Sequence, residues 1–314
     1  MAKLLLGNSL KKAADRMPVL KHFLWGIEAL VIGAFFGICA LLSPDRASAS
    51  GRWLFRLAGP HLDKTRIFRR NLNLAFPDKS TAEIEGLIRE IWGNAGAVLA
   101  EYPHLQTIAS DTPPQRTEVV IEGGSRVFRQ DGKPAVFVAA HLSNWELPPA
   151  AGVKLGLPVS VVYTPLQNPW LDRMLYRARE KMGCSLVPRD GGMRTLIREL
   201  SRGRSIGLVV DQRVDEGEPV PFFGIDMNTT ITPARLALRY DCELIPIRVE
   251  RLNGARFRVT FNAPVTAPEG VTDEHRKVLA MTRKVNDLFE AWITETPQDW
   301  LCSKRRWPKD ATPP

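Results

Sequence analysis

From residue 119 onward, apolar runs rich in β-branched residues alternate with stretches of helical periodicity. That alternation constrains the fold more than any other feature of the chain. The strand-like runs are VVIEG (119–123), AVFVAAH (135–141), VSVVYT (159–164), SLVPR (185–189), SIGLVVDQ (205–212), ELIPIRVERL (243–252) and RFRVTFNAPV (256–265). Helical stretches fall at about 168–182, 191–202 and 232–240, and a long one at about 272–295 ends the fold. Strands separated by helices predict an α/β domain with a mostly parallel central sheet flanked by helices. The last two runs are joined only by Asn253-Gly254-Ala255, a hairpin signal, so one edge of the sheet is expected to be antiparallel.

Ahead of this domain stands FLWGIEALVIGAFFGICALL, Phe23 to Leu42, with Glu28 as its single charge. Its length suits a hydrocarbon core of about 30 Å. Glu28 is a flaw in that run, and the uninterrupted part from Ala29 also fits a re-entrant or interfacial segment. Lys11, Lys12, Arg16 and Lys21 precede the run and ASAS (47–50) follows it, the ingredients of a signal peptide. The basic lead is too long for that, and Pro44-Asp45-Arg46 intervenes, so a retained membrane anchor is expected. Basic residues lie on both flanks and leave its orientation open. The expected organisation is a basic segment at 1–22, a membrane helix at 23–42, a membrane-proximal helical region at 43–110 and a catalytic domain at 111–314.

In the membrane-proximal region, RIFRRNLNLAFPDKS reads either as an amphipathic helix on anionic lipid or as an ordinary solvated helix. Next, Ser80-x-x-Glu83 is a capping box, and Ile84, Leu87, Ile88, Ile91 and Trp92 recur as the stripe of a packed helix. The net charge of +9 suits an anionic partner: nucleic acid, an anionic bilayer or a phosphorylated or acidic substrate. The four cysteines are scattered without CxxC spacing, which fits neither a zinc site nor a disulfide framework.

The chemistry centres on His141 and Glu146, in HLSNWE directly after a buried strand. In open α/β sheets ligands collect at the carboxyl ends of the strands. A histidine that donates one ring N–H to a carboxylate keeps the other nitrogen free as a base, and the carboxylate stabilises the imidazolium. The spacing lets Glu146 fold back onto the imidazole. Equally open from spacing alone are a structural His–Glu hydrogen bond and a helix-capping cluster from Ser143 and Asn144. The one GxSxG match, Gly203 to Gly207, opens the strand-like run SIGLVVDQ instead of following a strand as a nucleophile elbow does, which favours direct proton abstraction from an acceptor hydroxyl over an acyl-enzyme. His141, Glu146 and Asp211 could bind a cation, but there is no HExxH and the other histidines are remote in sequence.

HLSNWE resembles the H-x4-(D/E) signature of membrane-associated glycerolipid and lipid A acyltransferases. With NPWLDRMLYRARE, GCSLVPRDGGMRTLIRELSRGRSIGLVVDQ, VPFFG, TPARLA and DWLCSKRRWP, the chain resembles the late acyltransferases of lipid A biosynthesis over nearly its whole length. Two places depart from that pattern: Thr232-Pro233 stands where Gly-Pro is expected, and LCSKRRW is longer than the usual ending. VPFFG in place of an FPEGTRS-like block counts against a glycerol phosphate acceptor.

The resemblance implies a His–Glu dyad without metal or cofactor, an acyl carrier protein as donor and a lipid A precursor as acceptor, at the cytoplasmic face of the inner membrane. Asn144, Arg179, Arg189 and Asp211 become candidates for substrate contact, with Arg173, Arg177, Arg204 and Arg213 for phosphate or carrier. Rivals are another glycolipid acceptor such as a phosphatidylinositol mannoside, a hydrolase using the same dyad, and a membrane-tethered nucleic-acid binder. Nucleic-acid binding is disfavoured because the tryptophans do not interleave with Lys and Arg on strands.

Overall fold

Continuous burial along the central strands turns the sequence pattern into one sheet with two covered faces. A computed structural model describes residues 17–129, 132–188 and 192–313. The N-terminal part is helical: α1 (Pro18–Ala40), α2 (Pro44–Ala58), α3 (Thr65–Ala75), α4 (Thr81–Glu101) and the short α5 (Leu105–Ala109). The rest runs β1 (Thr117–Ile121), β2 (Ala135–Ala139), α6 (Pro148–Lys154), β3 (Val159–Tyr163), α7 (Pro169–Glu180), β4 (Ser185–Pro188), α8 (Gly192–Ser201), β5 (Ser205–Val209), β6 (Glu218–Phe222), β7 (Ile225–Thr229), α9 (Thr232–Arg239), β8 (Glu243–Asn253), β9 (Arg256–Phe261) and α10 (Glu274–Glu295).

The seven-stranded sheet has the order β1-β9-β8-β2-β5-β3-β4. Its strands pair in parallel except at the β8–β9 hairpin. Hence β1 and β9 run against the other strands, as the Asn253-Gly254-Ala255 turn leads one to expect. Every residue of β2 is buried, because helices cover both faces. Val136 and Val138 join a core with α3, α4, α9 and α10, while Phe137 joins Ile245, Ile247 and Phe261 on the other side.

Sequence reading misses the antiparallel ribbon of β6 and β7. Pro219 and Pro221 argue against a strand, but a two-stranded ribbon has free edges toward which a proline nitrogen can face. Its turn, Phe223-Gly224, has positive φ at both residues (49° and 70°), as a tight hairpin with right-handed twist requires.

In the N-terminal part, the capping box forms as read: Ser80 accepts from Glu83 N–H and the Glu83 side chain accepts from Ser80 N–H. Gly51 and Gly96 let α2 and α4 meet backbone to backbone, since a Cβ on either would lie 2.3 Å from the other's carbonyl oxygen. The RIFRRNLNLAF segment is a packed helix. Phe68, Leu72 and Leu74 are consumed by the core, Arg69 pairs with Glu85, and Arg70 donates to the carbonyls of Pro308 and Lys309.

Helix α1 is long and apolar enough to cross a membrane, and only 11% of its apolar window is buried in the protein. Its one carboxylate is accounted for. Asn168 Nδ2 donates to Glu28 Oε2 at 3.0 Å and to Trp25 O at 2.9 Å, while Asn168 Oδ1 caps α7. Phe36, further along α1, stacks on Tyr102 at 5.8 Å.

Candidate active site

Strands β2 and β5 are parallel neighbours with Ala139 opposite Val209. The register carries on past the strand ends, where Val210 N–H donates to Ala139 O at 3.0 Å. Two residues beyond the Ala139–Val209 pair stand His141 and Asp211. The sheet therefore places an imidazole beside a carboxylate at its carboxyl edge, where α/β folds present ligand-binding groups.

Asp211 Oδ1 lies 2.6 Å from His141 Nδ1, and Trp300 Nε1 donates to Asp211 Oδ2 at 2.9 Å. The His141 side chain is 19% exposed and that of Asp211 1%. Burial pushes the Asp211 carboxyl up. The charge and hydrogen bond of His141, the Trp300 indole and the charge of Arg306 outweigh this and hold it below the usual aspartate value. Gln212 lies beside the ring, its amide nitrogen 3.3 Å from His141 Nε2, and Trp145 packs against it at 5.5 Å.

This corrects the expected direct hydrogen bond between Glu146 and His141. The carboxylate on Nδ1 belongs to Asp211, and Glu146 is engaged elsewhere. Arg179 reaches Glu146 with two hydrogen bonds of 2.7 Å each, and Tyr102 OH donates to Glu146 Oε1 at 2.5 Å. Burial raises the Glu146 carboxyl, but the charge and hydrogen bonds of Arg179, the Tyr102 hydroxyl and the nearby His141 bring it below the usual glutamate value. Burial and the Glu146 charge push the Tyr102 hydroxyl well up. Arg179 is pushed up against its own burial by the charge of Glu146. Glu146 thus stands as a fixed negative charge near His141, clamped from behind.

The loop between them is held by a buried polar network. Asn144 is fully buried. Its Nδ2 donates to Glu101 Oε2 at 2.7 Å and its Oδ1 accepts from Glu146 N–H at 3.2 Å. Glu101 in turn takes Arg251, with Nη2 at 3.2 Å, and the Ser48 hydroxyl at 2.6 Å. Ser143 has φ of 50°, an uncommon conformation for a side chain with a Cβ, and Asn94 donates to its carbonyl at 3.2 Å. The C-terminal segment lies along the same loop: Leu142 bridges Trp300, Ser143 N–H donates to Asp299 O at 3.0 Å, and Leu301 N–H donates to His141 O at 2.9 Å.

Several expected substrate contacts prove to be internal. Asn144 and Arg179 hold the loop and Glu146, and Asp211 holds His141. Arg204 sits at the opposite end of the sheet, just before β5, and bonds Ser160, Ser185 and the Val159 carbonyl. Arg173 and Arg177 are exposed on α7, and Arg213 pairs with the exposed Asp215 at 3.2 Å. Arg189 and the basic residues Lys11, Lys12 and Arg16 lie outside the described residues. Among the described residues, no group of three or more His, Cys, Asp or Glu side chains is placed to hold a metal ion.

Sequence reasoning missed Tyr102, Glu101, Arg251 and Trp300. A signal existed for the His141–Asp211 pairing: both apolar runs end in a polar residue at their carboxyl end. No local pattern announces the others.

Residues 15–309 match the sequence profile of the family described as bacterial lipid A biosynthesis acyltransferase. A phosphatidylinositol mannoside acyltransferase of Mycolicibacterium smegmatis is 27% identical over 184 residues, a match that spans 57% of this chain and 58% of that protein. A lipid A biosynthesis acyltransferase of Haemophilus influenzae is 26% identical over 271 residues, spanning 83% of this chain and 84% of its own. A lipid A biosynthesis palmitoleoyltransferase of Escherichia coli is 26% identical over 267 residues, spanning 80% of this chain and 81% of its own. With the family profile covering nearly all of it, the chain belongs to the bacterial lipid A biosynthesis acyltransferases.

Proposed function

We propose that this protein transfers a fatty acyl chain from an acyl carrier protein to the hydroxyl of a 3-hydroxyacyl chain on a lipid A precursor. The observation that carries the mechanism is the His141 Nδ1–Asp211 Oδ1 hydrogen bond of 2.6 Å at the carboxyl ends of two parallel strands. With Nδ1 committed to a carboxylate, Nε2 is the basic nitrogen. His141 takes the hydroxyl proton as the oxygen attacks the thioester carbonyl carbon. The C–S bond then breaks, the ester forms, and the carrier thiolate leaves with the proton returned from the imidazolium. Asp211 fixes the ring and balances the charge it acquires. Glu146, held by Arg179 and Tyr102, adds a second fixed negative charge near the imidazole. General-base catalysis of this kind contributes about 10²–10⁴-fold.

Helix α1 anchors the protein in the inner membrane with the sheet on the cytoplasmic side, where an acidic carrier meets the basic surface. Mass spectrometry of lipid A from cells with and without the protein tests this reading. Loss of one acyl chain from lipid A on deletion is the expected result. An unchanged lipid A sinks it. The mycobacterial relative favours one alternative, acylation of a mannosylated phosphoinositide, which the same measurement on total glycolipids separates.

A further inference from the structure

The carboxylate behind His141 is held from two sides, and one side comes from the C-terminal segment. Asp211 gives Oδ1 to His141 and Oδ2 to the Trp300 indole at 2.9 Å. Trp300 itself is 1% exposed and packs against Phe222, Phe223 and Trp307 at centroid distances of 6.0, 6.4 and 6.4 Å. Its backbone neighbours are stitched to the histidine's own loop, with Leu301 N–H on His141 O at 2.9 Å and Asp299 O on Ser143 N–H at 3.0 Å. Both halves of the pair are therefore tied to one short stretch of chain: the imidazole through its backbone, the carboxylate through an indole.

We propose that Trp300 is a positioning residue for acyl transfer, and that residues 299–301 act as a strap setting the relative orientation of His141 and Asp211. The inference rests on the general-base reading above and deepens it. A carboxylate with a donor on each oxygen cannot turn about its Cβ–Cγ bond without breaking one of the two bonds. Remove the indole N–H and Oδ2 becomes a buried acceptor lacking that donor. The carboxylate then turns to recover a partner, and the imidazole loses the contact that fixes its tautomer and angle. Arg306, buried over the Phe222 ring at 4.4 Å, adds positive charge near Asp211 and, among the described residues, makes no hydrogen bond to it. It leaves the angular control to Trp300.

Trp307 supplies the comparison. It is equally buried in the same aromatic cluster, and its indole donates to Phe222 O at 3.2 Å rather than to the site. Trp300→Phe and Trp307→Phe each keep an aromatic ring and delete one indole donor. In the detergent-solubilised full chain, Trp300→Phe is expected to lower kcat about tenfold, or about 1.4 kcal/mol, with KM for donor and acceptor unchanged. Trp307→Phe is expected to lower thermal stability while kcat stays within about twofold of wild type, less than about 0.5 kcal/mol. Equal kcat values for the two variants overturn the proposal.

A second measurement does not depend on turnover or on the Trp300 variant folding. With indole-¹⁵N labelling, the Trp300 Nε1–H resonance is expected downfield, and Asp211→Asn should move it more than any other of the eight tryptophans. A Trp300 resonance unmoved by Asp211→Asn overturns the strap even if acyl transfer is established. Failure of the wild type to transfer acyl chains, with the resonance moved as expected, overturns the function and leaves the contact standing.

Discussion

Asp211 and His141 lie 70 residues apart in sequence and 2.6 Å apart in space, joined by the register of β2 with β5. The pairing follows from backbone geometry more than from side-chain choice: Ala139 faces Val209, and each chain reaches its polar residue after the same number of steps. Asp211→Asn keeps the shape but presents an amide to Nδ1. His141→Ala and Asp211→Asn are each expected to lower kcat by about 10²–10⁴-fold while the purified proteins keep wild-type circular dichroism. Near wild-type turnover in either variant removes the general base.

Glu146 and Arg179 form the second clamp. Their side chains are 7% and 21% exposed, so removing one partner strands the other in a desolvated place. Arg179→Ala is expected to cost about 3 kcal/mol of stability in detergent-based unfolding and to abolish most activity. Arg179→Lys should recover charge but not the two-pronged geometry, and so little of the activity.

The same pair sets an acid limit. The Glu146 carboxyl is held below its ordinary 4.5, so its contribution to stability is fully present above that value. That contribution is lost as pH falls through the lower folded value, where the carboxylate takes up a proton. Tm should therefore be insensitive to this group above pH 4.5 and should fall below it. Glu146→Gln should flatten that acid limb, which thermal scans across pH read directly.

The Glu101 and Arg251 side chains are only 0% and 7% exposed, and the pair carries Asn144, which accepts the Glu146 N–H. Arg251→Met is expected to destabilise by about 3–5 kcal/mol and to reduce kcat. Glu101→Gln combined with Arg251→Met should be milder than Arg251→Met alone, because no unpaired charge remains while the amide can still meet Ser48 and Asn144. A double variant worse than Arg251→Met in equilibrium unfolding would contradict this.

Helix α1 is expected to be an uncleaved anchor that also docks on the domain. The protein should fractionate with membranes, resist salt extraction and retain residues 1–42 in its intact mass. Asn168→Asp preserves the cap on α7 yet removes the donor to Glu28 and sets a like charge beside it. It should be less stable than wild type by about 1 kcal/mol. Equal Tm values in micelles would show that the Glu28 contact contributes nothing.

The alternation of β-branched runs and helical stretches determined the parallel sheet, its hairpin and the site's place at the strand ends. These properties depend on local periodicity and on the near-universal geometry of such units. The apolar run Phe23–Leu42 and the Ser80–Glu83 capping box were legible for the same reason. Tertiary structure alone decided which carboxylate met the imidazole. Glu146 is near His141 in sequence, but the loop, with Ser143 at positive φ and Asn144 tied to Glu101, turns Glu146 toward Arg179 and Tyr102. Asp211 is remote in sequence and adjacent in the sheet. Strand order is a global property, set by which crossovers bury the most apolar surface, so no window of sequence displays it. The same holds for Glu28, a defect in an apolar helix until Asn168 folds against it, and for Trp300, whose indole finds Asp211 only after the C-terminal segment lies along the loop.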